Sequence, residues 1–339
     1  MTRSTTARVG PHWLILALVL ALLVVSNVSV EPQSMTAIDL DRPCTCKSEK
    51  RPCLFLHGLG DLPVGNHTAT FPAYWGDIHD HAPCCSSTAF VHWDTINLGW
   101  HSQELQAAFC DAALHVSDGA VNRMIGKLIL VAHSMGNLIA ASALAAGTCK
   151  ANKDNLTWVH VGGPMDGSWK ANYIDQSVCQ RHPDDGIWRL FKDAGKTFLQ
   201  VVGNKEDMCP PPAGLASLRH QSTVPADHSA SYAAAQRVHA AHVSKAACGV
   251  SSLGLASLEA ISLATANFLH YLLAGHAALS DGAVDFDSCT FGLNASRFGT
   301  SYTDSFYKAS VNHVDLAFKH GDGWWGSDRQ PRKWFQCLL

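Results

Sequence analysis

Leu128-Ile129-Leu130-Val131-Ala132-His133-Ser134-Met135-Gly136-Asn137-Leu138 is the stretch that decides the architecture. Its first five residues form an unbroken apolar run, the pattern of a central parallel strand covered on both faces. From Leu138 to Ala146 the chain is apolar and Ala-rich, which predicts a helix. Only His133-Ser134-Met135-Gly136-Asn137 separates the two, so the strand must turn sharply into the helix. Strands that alternate with helices in this way build a mostly parallel, doubly wound sheet with helices on both faces.

Upstream, Pro52-Cys53-Leu54-Phe55-Leu56 predicts a second buried strand, ending in the Gly-flanked loop His57-Gly58-Leu59-Gly60. Residues 61–88, rich in Pro, Gly, His and Cys, read as loop, and Phe90 to Asp94 as a strand. Leu105, Ala108, Phe109, Ala112 and Ala113 recur at helical spacing over 102–116, with Ser102 as the cap. Thr157 to Val161 and Thr197 to Val202 predict two further strands. The segment 208–280 is too long for a simple connection and reads as a helical insertion or lid. It holds an Ala-rich helix over Ala230–Ala247 and a strongly apolar one over Leu253–Leu273. Glu259 and His270 interrupt the second, which favours a buried or lid-forming helix over a membrane span.

The chain has 339 residues, 47% hydrophobic and 16% charged, enough apolar matter for a large core. A formal net charge of -3 and the lack of any basic block exclude polynucleotide binding. Arg3 and Arg8 followed by the apolar run Trp13–Val25 predict a secretory signal over residues 1–30. Because the apolar character continues to Val30, an uncleaved anchor is the alternative. Residues 31–339 then form one domain. The twelve cysteines lack the paired spacing of a zinc site and read as disulfides of an oxidising compartment. Glycosylation acceptors at Asn66, Asn155 and Asn294 agree with export. The expected location is secreted or within the secretory pathway.

A serine hydroxyl becomes a nucleophile when a base removes its proton and the backbone exposes it. A sharp strand-to-helix bend exposes it, and the bend demands small residues two before and two after. Ala132 and Gly136 meet that demand around Ser134. Attack on a carbonyl builds charge on its oxygen, which two backbone N–H groups must face. The loop at Gly58 brings one amide close, that of Leu59, and the residue after the serine, Met135, brings the other. Neither motif is specific alone; their shared position after strands is what gives them weight.

Leu54-Phe55-Leu56-His57-Gly58-Leu59-Gly60 together with Val131-Ala132-His133-Ser134-Met135-Gly136 resembles the bacterial true lipases and related serine esterases of the α/β-hydrolase superfamily. An alanine-first serine bend occurs in one branch of those lipases. In that family a loop reading Asp-Gly-x-Val carries the acid, with Cys soon after, and Asn-His-x-Asp carries the histidine. Here Asp281-Gly282-Ala283-Val284, Cys289 and Asn312-His313-Val314-Asp315 correspond. The spacing of 32 residues between Asp281 and His313 is longer than in that family and implies a small insertion around Asn294. The resemblance spans roughly 52–320 and implies an α/β-hydrolase fold, a Ser134–His313–Asp281 set and an acyl-serine route to carboxylic ester hydrolysis. Asp207, after the Thr197–Val202 strand, competes for the acid by strand-end position, whereas the motif favours Asp281.

Other features carry weaker expectations. Asp315 matches a calcium ligand of some family members, but no earlier aspartate partner is evident; no other cofactor is expected. Asp77-Ile78-His79-Asp80-His81 reads as a solvated turn, and Gly321–Gly326, with Trp324 and Trp325, as C-terminal packing or a pocket rim. The expected partner is an acyl ester or lipid, with contact to a lipid surface through the lid helix and no obligate protein partner. Two rival readings are an inactive secreted binding protein on the same fold and a lipid acyltransferase or deacylase.

Overall fold

The computed structural model describes residues 43–174, 179, 209–274 and 279–339. The signal segment, the strand expected at Thr197–Val202 and the rival acid Asp207 lie outside the described residues. In chain order come β1 (Arg51–Leu56), β2 (Asp61–Thr68), α1 (Pro72–Trp75), β3 (Cys85–Asp94), α2 (Gln103–Val116), β4 (Leu128–His133), α3 (Met135–Ala145), β5 (Leu156–Val161) and α4 (Trp169–Tyr173). Then follow α5 (Ala213–Ser217), α6 (Ala226–His242), β6 (Val243–Gly249), α7 (Leu258–Ala274), α8 (Phe286–Cys289), β7 (Phe306–Ala309), α9 (His313–Leu316) and α10 (Pro331–Cys337).

The strands form one seven-stranded sheet in the order β2-β3-β1-β4-β5-β6-β7. Every neighbouring pair is parallel except β2 with β3. β4 lies between β1 and β5 and every one of its residues is buried, as its unbroken apolar run requires. One apolar layer forms where Phe109 of α2, Leu138 of α3 and Tyr232 of α6 meet one face of the sheet. A second, with Trp75 of α1 and Trp334 and Phe335 of α10, covers the other face. This strand order, with a strand-to-helix bend after the central strand, is the α/β-hydrolase fold.

The chain runs from β1 outward to β3, then returns to start β4 on the other side of β1, so the winding direction reverses between β1 and β4. In open α/β sheets such a reversal leaves a crevice beyond the carboxyl ends of the two strands. The register sets its floor: Leu56 pairs with Ala132, and His133 with Val161. The chain therefore leaves β1, β4 and β5 at one level, delivering the 57–60 loop beside Ser134.

Four readings need correction. Residues 61–88 are not loop throughout, since β2, α1 and the first half of β3 lie there, and β3 begins at Cys85 rather than Phe90. The Ala-rich helix ends at His242, and Val243–Gly249 is a sheet strand. Ladders from β5 and β7 on its two sides override the helix preference of its alanines. The segment 208–280 is consequently not a helical insertion as a whole, because the chain re-enters the sheet within it. The apolar helix starts at Leu258, not Leu253, and it buries Ala260 and Leu263.

All twelve cysteines are paired: 44 with 337, 46 with 84, 53 with 85, 110 with 149, 179 with 209 and 248 with 289. Six disulfides point to an oxidising, secretory or extracellular environment. Among the described residues no helix is long and apolar enough to cross a membrane.

Candidate active site

Ser134 occupies the bend with φ 53° and ψ -129°, a conformation that side-chain-bearing residues rarely adopt. Its N–H is anchored to the Val161 carbonyl at 2.9 Å. The bend works only because its neighbours are small. A Cβ at Gly136 would stand 2.8 Å from the His57 carbonyl oxygen, and one at Gly58 would stand 2.5 Å from Ser134 Cβ. Glycine at 136 lets α3 start against the end of β1, and glycine at 58 lets the loop close over the hydroxyl.

His313 comes from the far side of the cleft. Its Nε2 lies 2.9 Å from Ser134 Oγ, and its Nδ1 lies 2.7 Å from Asp281 Oδ2. A carboxylate only accepts, so Nδ1 carries the ring proton and Nε2 is free to accept from the serine hydroxyl. The other oxygen of Asp281 accepts the Ala283 and Val284 N–H groups at 2.9 and 2.7 Å. The His313 N–H donates to the Asp281 carbonyl at 2.9 Å, so backbone and side chain both link the two residues. Ser134 and His313 are each 6% exposed and Asp281 1%, so these contacts are shielded from water.

Each partner is held by local structure. Asn312 caps α9, its side chain accepting the Val314 and Asp315 N–H groups while Asp315 returns a bond to the Asn312 N–H, a full capping box. His313 is thereby fixed as the first residue of α9. The loop carrying Asp281 is gripped by Lys170 of α4, whose ammonium pairs with the Asp285 carboxylate and donates to Ser280 Oγ at 2.9 Å. Ser168 Oγ adds a bond to the Ala283 carbonyl at 2.7 Å. Just beyond, the disulfide from Cys289 to Cys248 ties α8 to the end of β6.

The 57–60 loop is set with equal care. His57 Nε2 accepts the Trp93 N–H at 3.0 Å, so the proton is on Nδ1, which donates to the Gly58 carbonyl at 2.7 Å. Burial pushes the His57 imidazole down to about 4, so it stays neutral. Thr95 Oγ1 also donates to the Gly58 carbonyl, at 2.8 Å, and accepts the Gly60 N–H at 2.9 Å. The Gly58 C=O and the Leu59 N–H belong to one rigid peptide plane and point in opposite directions. Pinning the carbonyl therefore aims the amide, and among the described residues that amide donates to nothing. The Met135 N–H, first of α3, likewise has no partner within its own helix.

Ser134, His313 and Asp281 are thus brought together, with Leu59 and Met135 on the neighbouring loop and helix start. Asp315 does not suit a calcium ion. Its carboxylate accepts the Leu255 and Asn312 N–H groups at 2.8 and 3.1 Å and meets His320 Nδ1 at 2.8 Å, a shell of donors where a cation needs oxygen ligands. His160, Cys248 and Cys289 also cluster, but both sulfurs are spent in a disulfide. The 77–81 turn is a short 3-10 helix whose Asp77 pairs with His81 and Arg332. Trp324 is 83% exposed, which excludes it from core packing. Thr95, Lys170 and Tyr74 escaped the reading of the sequence, for none sits in a local pattern that marks it, and His133 stands inside the serine bend at a position that the bend leaves variable.

No protein-family model matches the sequence, and no curated protein does. Among solved structures, the mature form of lipase BlEst2 from Bacillus licheniformis is similar with a TM-score of 0.48 and 16% identity, over 82% of this chain and 91% of that one. Haloalkane dehalogenase DbeA from Bradyrhizobium elkani gives 0.33 and 17%, over 66% and 81%. Haloalkane dehalogenase DatA from Agrobacterium tumefaciens gives 0.32 and 13%, over 72% and 86%.

Proposed function

We propose that this chain is a secreted serine hydrolase that cleaves carboxylic esters through an acyl intermediate on Ser134. The observation that carries the reading is the continuous path from Ser134 Oγ through His313 to Asp281, at 2.9 and 2.7 Å. In the first half-reaction Ser134 Oγ bonds to the ester carbonyl carbon while its proton moves to His313 Nε2. Asp281 steadies the imidazolium, and the Leu59 and Met135 amides receive the carbonyl oxygen as it becomes negative. The tetrahedral species collapses as His313 returns the proton to the departing alkoxide. Water then repeats the sequence at the acyl-serine, releasing the acid.

Lipid acyl esters are the substrate class we favour, in keeping with the resemblance to bacterial true lipases. α7 leans on the acid loop where Leu263 meets Gly282, yet it leaves Leu258 and Ile261 84% and 58% exposed. An apolar helix beside the cleft suits a lipid surface. The capture of an activated phosphonate tests the core of the proposal, since it needs no knowledge of the natural substrate. A fluorophosphonate probe should label the wild type, should not label Ser134→Ala, and should label Asp281→Asn at least 10³-fold more slowly, given losses of about 10⁴ for such a change elsewhere. Asp207→Asn should label like the wild type. Equal labelling of Ser134→Ala would refute the reading. The lipid preference fails if short soluble esters are cleaved faster than long acyl esters and vesicles leave the rates unchanged.

A further inference from the structure

Tyr74 stands where three parts of the site meet, and the reaction as written does not use it. It sits on α1, packed against the apolar layer on that face of the sheet, with a half-buried ring and an inward-facing hydroxyl. The Gly58 N–H donates to that hydroxyl at 2.7 Å. The same oxygen lies 2.6 Å from His133 Nδ1, and His133 Nε2 lies 2.9 Å from the carbonyl oxygen of His313.

The protons can be placed by elimination. A carbonyl only accepts, so His133 Nε2 bears the hydrogen it donates to His313. Burial, reinforced by His313 and His57 nearby, keeps His133 well below its ordinary range and the ring neutral. His133 Nδ1 is then an acceptor, and the donor to it is the Tyr74 hydroxyl. Burial pushes the ionisation of that hydroxyl upward, so its proton stays in place. One directed path results: Gly58 N–H to Tyr74, Tyr74 O–H to His133, His133 N–H to the His313 carbonyl.

Its ends are informative. Gly58 is the residue before Leu59, so its N–H and C=O flank the hinge that aims the Leu59 amide. The other end grips the backbone of the base. Between them, the His133 and His313 rings lie 4.6 Å apart, centroid to centroid, and a Cβ at Gly58 would stand 3.1 Å from the Tyr74 oxygen and 3.0 Å from Ser134 Oγ. We infer that Tyr74 and His133 are positioning residues, a hydrogen-bonded strut across the cleft that keeps the oxyanion amides and His313 in register on either side of Ser134. The inference rests on the hydrolase reading above.

The experiment follows the fluorophosphonate labelling of Ser134 in the full-length protein, separating the maximal rate kinact from the half-saturating concentration KI. Tyr74→Phe removes the hydroxyl and keeps the ring. His133→Gln keeps an N–H for the His313 carbonyl and withdraws the acceptor from Tyr74. Each should lower kinact by about 10–100-fold, since small displacements of reacting groups cost that much, with KI and the thermal midpoint close to wild type. Because both substitutions cut one path, the double variant should be no slower than the slower single. Wild-type kinact in Tyr74→Phe, or a double variant slowed by the product of the two singles, overturns the strut. If Tyr74→Phe does not fold, wild-type kinact in His133→Gln overturns it instead. A labelled wild type with unaffected variants defeats the strut alone; a wild type that is not labelled defeats the hydrolase reading and the strut with it.

Discussion

Ser134 holds a backbone conformation that costs an L-residue about 1–3 kcal/mol, and the surroundings that enforce it are a carbonyl, a glycine and a helix start. The glycine is Gly58, where an added methyl would press on Ser134 Cβ at 2.5 Å. Either the loop or the serine must then yield. Gly58→Ala is expected to slow phosphonate labelling by at least ~10²-fold, the cost of about 1 Å of misplacement, while the far-ultraviolet circular dichroism stays unchanged. Labelling at the wild-type rate would show that the loop does not touch the nucleophile in solution. Ser134 was legible in the sequence from the small residues its bend demands, and Asp281 and His313 from the resemblance of their loops to those of the bacterial true lipases. Tyr74, His133 and Thr95 were not. Their bonds join residues 16 to 180 positions apart, and no periodicity records which hydroxyl will meet which imidazole.

At the scale of elements, the acid loop depends on α4. Lys170 and Asp285 are 5% and 6% exposed, so neither charge has water to fall back on. Asp285→Asn leaves the ammonium buried without its counter-charge and should cost about 3–5 kcal/mol, read from urea unfolding. Replacing both, Lys170→Met with Asp285→Leu, should recover most of that loss, because no charge is then stranded. A single variant as stable as the wild type would mean that the pair is open to solvent. The same scale shows what the apolar patterns could and could not reveal. β1 and β4 were recognisable because a strand between two parallel neighbours carries an apolar run, Cys53–Leu56 and Leu128–Ala132, and β5 because Thr157, Trp158, Val159 and Val161 are β-branched or aromatic. β6 was not: Ala246 and Ala247 favour a helix in isolation, and only the ladders of β5 and β7 make the extended form the better one. β2 was hidden in a stretch rich in Pro and Gly, where its sole sheet neighbour, β3, decides the outcome.

Over the whole molecule, histidines buried as neutral rings set the response to acid. Burial drives His57 to about 4 and His239 to about 3, and it holds His133 and His160 well below the ordinary range. In the unfolded chain each takes up a proton near pH 6.5. Below that value the unfolded state binds more protons, so stability is complete above about pH 6.5 and declines as the pH falls. Each group contributes ~1.4 kcal/mol per pH unit until its folded-state value is reached. The urea midpoint should be flat between about pH 7 and 8 and fall steadily from about 6.5 toward 4.5. A midpoint that holds to pH 4.5 would mean these rings are not buried neutral.

Cys44 and Cys337 join the two ends of the described domain across a sequence separation of 293. A protease that cuts any peptide bond between them produces two polypeptides but not two particles, since the ends of the cut remain on one covalent body. Backbone scission becomes a local wound in place of a dissociation, a useful tolerance in the oxidising, extracellular or secretory setting that six disulfides point to.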